Sequence, residues 1–260
     1  MNVPFSTSST GARTLLSGAL PEIELTNPSR SGVFGFNSRD RRSRSFNLLR
    51  SQVVKIMKAR GWRILGVTSA TPNVGKTFVA SNLAASMSRI PDQTTLLFDL
   101  DLRRGSVATQ YDLAEGDGLE AYLGGDIDQL RTVGRRVAGG GLVIYPSFGV
   151  DQSSAELLAG QRMRTLIDAM RSLDDDHLCI CDLPPAFAND DASIVLQQID
   201  AYLLVVEEGR TTARQVHDAI EMLKPAPCLG TVLNRYHGLI GGDDYGFGYM
   251  SQRNYDAYYS

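Results

Sequence analysis

The sequence predicts an α/β domain with a doubly wound, mostly parallel sheet flanked by helices, an arm before it and a tail after it. Three observations carry that prediction. From residue 63 onward, short apolar runs alternate with helical patterns, as in successive β-α units. The runs are apolar throughout, which is the pattern of strands covered on both faces. The first run passes through a loop containing Gly75-Lys76-Thr77 straight into a helical pattern, the setting of a phosphate-binding loop. With 260 residues the chain is long enough for one large buried core, and 43% hydrophobic with 21% charged residues is ordinary globular composition.

Residues 1–43 are rich in Ser, Thr, Asn, Gly, Pro and Arg and show little periodicity, so they are expected to form a disordered basic arm. Arg39, Arg41, Arg42 and Arg44 then lead into Phe46, Leu48, Leu49, Val53, Ile56 and Met57. That spacing suits an amphipathic helix ending before Gly61. Residues 63–69 read as a strand, 76–89 as a helix, 95–99 and 142–145 as further strands. Ser153 and Glu156 make a Ser-x-x-Glu capping signature for a helix over 153–159, and 162–173 continues helically. Residues 178–182, 202–206 and 228–233 read as strands, with a helix over 212–223 between the last two. After Arg235, Gly238, Gly241, Gly242, Gly246 and Gly248 are interleaved with Tyr and Asp. Such a stretch builds no packed core, so 44–235 is the expected domain and 236–260 an expected flexible tail.

The net charge of −3 conceals a division: residues 1–60 carry +7 and the remainder −10. Six of the ten tyrosines fall in the last 25 residues: Tyr236, Tyr245, Tyr249, Tyr255, Tyr258 and Tyr259. Cys179, Cys181 and Cys228 are an odd set, two of them alternating in one apolar run, which is no disulfide framework and fits a reducing cytoplasm. No apolar run approaches the roughly 18–20 residues that span a bilayer. No basic-then-apolar leader opens the chain, so secretion is not expected. His177, His217 and His237 are not spaced as metal ligands. The basic segment suits an anionic lipid surface, a partner or nucleic acid, and no RNA- or DNA-binding motif accompanies it.

Ala70-Thr71-Pro72-Asn73-Val74-Gly75-Lys76-Thr77, running on into Phe78, reads as the P-loop of a P-loop NTPase, with Ala70 where the general pattern has Gly. Backbone N–H groups of such a loop and of the helix start attract phosphate oxygens. Lys76 suits the β- and γ-phosphates and the Thr77 hydroxyl suits Mg²⁺. Asp99 and Asp101 lie two apart, so an extended chain aims both to one side at the carboxyl end of a strand. Asp182 ends the apolar run Leu178-Cys179-Ile180-Cys181 and is followed by Leu183-Pro184-Pro185, a Walker-B pattern. Three strands therefore deliver phosphate or metal chemistry to one edge, which points to the binding of a nucleotide with Mg²⁺.

At these residues the sequence resembles the bacterial tyrosine kinases of capsule and exopolysaccharide synthesis, relatives of the MinD/ParA ATPases. The resemblance runs from about Phe46 to Arg235. It adds Leu102-Arg103-Arg104 after the two aspartates, Gly118-Leu119, Tyr122-Leu123-Gly124-Gly125, Ser154-Ala155-Glu156-Leu157-Leu158, Arg162-Met163, Asp191-Ala192 and Val232-Leu233-Asn234-Arg235. It implies that Lys76, Thr77, Asp99, Asp101 and Asp182 hold ATP and Mg²⁺. Asp99 would then be the base near an incoming tyrosine hydroxyl, and Asp101 and Asp182 would position Mg²⁺. Asn234 and Arg235 would lie in the segment lining the adenine pocket. The implied substrate is the tail of a neighbouring copy, at Tyr245, Tyr249, Tyr255, Tyr258 and Tyr259. The implied partner is a transmembrane protein that controls polysaccharide chain length, and that partner would recruit a cytoplasmic enzyme to the inner face of the plasma membrane.

Where the family usually has Pro-Gly-Glu-Gly-Lys, this chain has Pro72-Asn73-Val74-Gly75-Lys76, and Gly105 stands where Pro usually follows the two arginines. The family's assembly motif, Glu-x-x-Arg-x-x-Arg, aligns with Arg44, Asn47 and Arg50. Two other functions stay open at this point. One is a MinD/ParA-like ATPase switch, a group that normally carries a second lysine early in the loop, where this chain has Thr71. The other is a nucleotide-binding scaffold of the polysaccharide machinery.

Overall fold

The structure is a computed structural model, and it describes residues 15–16, 18–149 and 154–236. Residues 237–260 of the expected tail, with Tyr245, Tyr249, Tyr255, Tyr258 and Tyr259, lie outside the described residues, as does Ser153 of the expected capping signature.

The strands are β1 (Glu22–Ile23), β2 (Ile64–Ser69), β3 (Thr94–Asp99), β4 (Arg135–Val137), β5 (Leu142–Tyr145), β6 (His177–Asp182), β7 (Ala201–Glu207) and β8 (Cys228–Asn234). The helices are α1 (Arg44–Arg60), α2 (Lys76–Met87), α3 (Ser106–Gln110), α4 (Leu119–Gly124), α5 (Ser154–Ala159), α6 (Gln161–Arg171), α7 (Asp191–Leu196) and α8 (Ala213–Met222). None is long and apolar enough to cross a membrane, among the described residues.

All strands join one eight-stranded sheet in the order β1-β4-β5-β3-β6-β2-β7-β8. Every pairing is parallel except β4 with β5. The chain leaves β2 towards β3 on one side, skipping a place that β6 later fills. It then returns past β2 to β7 and β8 on the other side. That reversal puts the carboxyl ends of β2, β3 and β6 side by side at the place where open α/β sheets bind ligands.

The apolar character of the strands follows from this position. Successive side chains point to opposite faces. Leu65, Val67, Leu97, Ile180, Leu203 and Val205 pack under α1 and α2. Ile64, Leu96, Phe98, Cys179, Cys181 and Leu204 pack on the other face with Met163, Leu166, Ile167 and Met170 of α6. Cys179 and Cys181 are thus small core residues, and burial pushes both thiols up from their ordinary value. The helix read from the Phe46–Met57 pattern is α1, and it ends at Gly61, which takes the left-handed φ of 66° that closes a helix. A capping box sits at the head of α8, where the Thr212 hydroxyl accepts from the Gln215 backbone N–H and the Gln215 side chain accepts in return.

The disorder expected for 1–43 does not hold for residues 18–43. They lie along the domain as a strap. β1 extends the sheet beside β4, and Val33 is buried under α2. Asn82 of α2 holds the strap at three points. Its Oδ1 accepts from the N–H of Phe34 (2.7 Å) and of Gly35 (3.1 Å), and its Nδ2 donates to the Gly32 carbonyl (2.9 Å). Phe34 and Phe46 meet Phe78 edge-on. Composition misled because a polar, irregular segment is kept ordered by hydrogen bonds from a buried side chain, which leave no periodic trace in the sequence.

Candidate nucleotide site

The loop between β2 and α2 is shaped by its own sequence. Asn73 takes φ 65° and Gly75 φ 91°, both left-handed, and α2 starts at Lys76 with Gly75 as its cap. Asn is the side chain best able to adopt that conformation, so Asn73 is compatible with a place usually held by Gly. A side chain on Gly75 would strike the amide of Asn234, whose Nδ2 donates to the Val74 carbonyl at 2.8 Å. Asn234, at the end of β8, therefore braces the loop from the side. Ser69 Oγ donates to the Thr71 carbonyl (2.8 Å), and the segment after β6 lies alongside through Ala186 N–H to Ser69 and Phe187 N–H to Ala70.

A cleft of about 690 Å³ opens over this loop. Of the residues the sequence singled out, Asn73, Gly75, Lys76, Thr77, Phe78 and Arg235 line it. Ala70 and Val74 are instead buried in the core, where they pack beneath the loop rather than facing the cleft. Ser31, Arg104, Ser106, Thr109 and Gln110 also line the cleft and were not singled out as site residues. Arg104 lay in the Asp99–Arg104 motif and was legible there; Ser31 had no local signal because the strap carries it in.

The register of β3 and β6 places Asp99 directly opposite Asp182. Lys76 Nζ lies 2.6 Å from Asp101 Oδ2 and 3.9 Å from Asp182 Oδ1. Thr77 Oγ1 donates to Asp182 Oδ2 at 2.6 Å. Asp99 is fully buried and accepts from the backbone N–H of Asp101 (3.2 Å) and of Val107 (2.8 Å), so it also organises the turn after β3. All the candidate acid, base and metal-binding side chains therefore converge at one edge.

Their charges are strongly interdependent. Burial pushes Asp182 up to about 6, against the opposing pull of the Lys76 ammonium and the Thr77 hydroxyl. Burial and the neighbouring Asp182 carboxylate push Asp99 well above the usual carboxylate range. Burial alone would lower Lys76, but the carboxylates of Asp182, Asp101 and Asp99 outweigh it and hold the ammonium above its ordinary value. Asp182 Oδ1 is buried and has no hydrogen-bond partner. A small hard cation takes oxygen donors, and this orphaned oxygen, Asp101 and the Thr77 hydroxyl supply them, so the residues present fit Mg²⁺.

Other motif residues have partners outside the loop. Arg103 Nε donates to Ser154 Oγ (2.8 Å), and Ser154 Oγ donates to the buried Asp191 (2.6 Å). Arg235 pairs with Glu207 at 2.9 Å. Of the assembly-motif positions, Arg50 donates to the Ser86 carbonyl (3.0 Å) and Asn47 accepts from Ser86 and Arg89, so both turn inward onto the end of α2.

No protein-family model matches the chain. The tyrosine-protein kinase etk of Escherichia coli K12 is 33% identical over 217 residues, which is 83% of this chain but 28% of that protein. The chain thus spans less than a third of the length of that curated relative. MinD from Pyrococcus horikoshii, solved with Mg-ADP, matches with a TM-score of 0.55 at 20% identity over 67% of this chain and 71% of that one, a likeness of fold. The kinase domain of the E. coli tyrosine kinase ETK matches with a TM-score of 0.71 at 31% identity, over 84% of each chain. With the loop, the two aspartates after β3 and the Walker-B aspartate assembled at one edge of that fold, the chain belongs to the bacterial tyrosine kinases and carries their kinase domain.

Proposed function

We propose that this domain is an ATP-dependent protein-tyrosine kinase that phosphorylates the cluster Tyr245, Tyr249, Tyr255, Tyr258 and Tyr259, on a neighbouring copy, within a machinery that makes or exports a surface polysaccharide. The observation that carries it is the convergence of Lys76, Thr77, Asp99, Asp101 and Asp182 beside a loop shaped for phosphate.

Phosphoryl transfer needs positioning and charge neutralisation more than covalent help from the protein. Backbone N–H groups of 73–77 would cradle the phosphates of ATP, and Lys76 would neutralise the β- and γ-oxygens. Thr77, Asp101 and Asp182 would hold Mg²⁺, which supplies further neutralisation of the phosphate charge. The tyrosine oxygen forms the new bond to the γ-phosphorus as the bond from that phosphorus to the β–γ bridging oxygen breaks and ADP leaves. Asp99 takes the phenolic proton. Its raised proton affinity suits it to that work. Arg235, which lines the cleft, is proposed to border the nucleotide base, with Asn234 keeping the loop in shape.

The tail position, the +7 charge of residues 1–60 and the family relationship support a setting at the inner face of the plasma membrane, beside a membrane co-polymerase. Incubation of the chain with Mg-ATP, followed by mass spectrometry, tests the reading with Lys76→Met as control. Phosphate on the tail tyrosines, absent from the control, is the expected result. ATP hydrolysis without protein phosphorylation would indicate a switch ATPase instead, and nucleotide binding with neither would indicate a scaffold.

A further inference from the structure

We infer, on the nucleotide reading above, that Arg104 contacts the γ-phosphate and stabilises the charge that spreads over it during transfer, with Asn73 as its positioning residue. Arg104 Nη1 donates to Asn73 Oδ1 at 2.8 Å, and both line the cleft with Gly75, Lys76 and Thr77. The guanidinium therefore sits against the phosphate loop itself.

Its charge is uncommitted. The other two cations lining the cleft are each paired with a carboxylate: Lys76 with Asp101 and Arg235 with Glu207. Arg104 is the cation of the cleft that has no carboxylate partner among the described residues, since its bond goes to a neutral amide. A neutral acceptor orients a guanidinium without cancelling its charge. The remaining fork of N–H donors suits the geometry of a phosphoryl group.

Its position is also set by the machinery it would serve. The turn that carries it is closed by the Arg104 and Gly105 N–H groups, which both donate to the Asp101 carbonyl at 2.9 and 3.0 Å. Asp101 is the residue paired with Lys76. Gly105 has φ 58°, and a side chain there would run into the Ser147 carbonyl oxygen, so the turn is packed tightly. Two departures from the family pattern meet here. Proline holds φ near −65° and cannot take the Gly105 conformation. Glycine at position 73 would have no side chain to receive Arg104. Thr71 stands where a switch ATPase would place its second lysine, and Arg104 supplies a cation to the loop from the turn after β3.

The test compares ADP with the non-hydrolysable analogue AMP-PNP, both with Mg²⁺, by calorimetry, alongside single-turnover phosphorylation. Arg104→Ala is expected to weaken AMP-PNP about tenfold or more while ADP stays within about twofold. Its transfer rate should fall about 10³-fold. Arg104→Lys should recover part of the AMP-PNP affinity but less of the rate, because an ammonium lacks the planar fork. Asn73→Gly, which suits the backbone, should leave ADP binding in place and lower the rate by less than Arg104→Ala. Equal loss of both nucleotides in Arg104→Ala, or loss of neither, would overturn the assignment. So would an unchanged AMP-PNP preference in Arg104→Lys. If the unaltered chain binds neither nucleotide, the nucleotide reading fails with it; if it binds both and the variants match it, only the role of Arg104 fails.

Discussion

Asp182 offers a sharp test of the site, because its ionised form destabilises the fold that holds it. Its carboxyl is raised from the ordinary aspartate value of 3.8 to about 6. A tenfold change in proton affinity is worth about 1.4 kcal/mol, so the ionised form costs the native state about 3 kcal/mol relative to the unfolded chain. The sign follows from the order of titration. Below pH ~4 the group is protonated in both states and its contribution is fully present. As pH rises past that point the unfolded chain gives up its proton first, and the contribution is lost progressively until pH passes about 6. Asp182→Asn removes this titration. It keeps an oxygen to accept the Thr77 hydroxyl, and Lys76 keeps Asp101 at 2.6 Å. Urea denaturation of both proteins, free of nucleotide and metal, should therefore show the variant gaining on the original chain as pH goes from 4 to 7.5, by about 3 kcal/mol. Groups away from the site cancel in that difference, and the relief of Asp99, which the Asp182 carboxylate also pushes up, adds to it in the same direction. A gap that does not change with pH would refute the reasoning. Mg²⁺ with nucleotide should narrow the gap at pH 7.5, because it gives the buried carboxylate a counter-charge.

Three other outcomes are expected. Lys76→Met removes the ammonium between Asp101 and Asp182, leaving buried carboxylates unpaired; a loss of about 3–5 kcal/mol in urea denaturation at pH 7.5 should accompany the loss of nucleotide binding. Gly75→Ala forces a left-handed alanine at about 1–2 kcal/mol and pushes the Asn234 amide off Val74, so both melting temperature and nucleotide affinity should fall, and an unchanged affinity would count against the bracing role of Asn234. Asn82→Ala strips the strap of its three bonds to that side chain at about 1–3 kcal/mol for each group left buried and unpaired; amide exchange at Phe34 and Gly35 should quicken while the core of β3 stays protected.

Much of the site was legible in advance because it is local. Gly75-Lys76-Thr77 sits within one strand–loop–helix unit, and Asp99 and Asp182 each end an apolar strand, so spacing and composition already place them. The short elements β1, β4, α3, α4 and α7 were not read, since two to six residues carry too little periodicity to stand out. The strap went unread because its order comes from Asn82, 47 and 48 residues away from the N–H groups it receives.

By itself the sequence determined the domain's class and its family and singled out the residues proposed to handle phosphate, because hydrophobic alternation and a contiguous loop motif are properties of neighbours in the chain. Only the tertiary structure decided which of those residues share charge. Lys76 and Asp101 are 25 residues apart, Thr77 and Asp182 are 105 apart, and Asn73 and Arg104 are 31 apart. No spacing rule connects such pairs. They meet because the sheet reverses its strand order between β3 and β7 and sets three strand ends side by side, and burial at that edge makes each charge depend on the others.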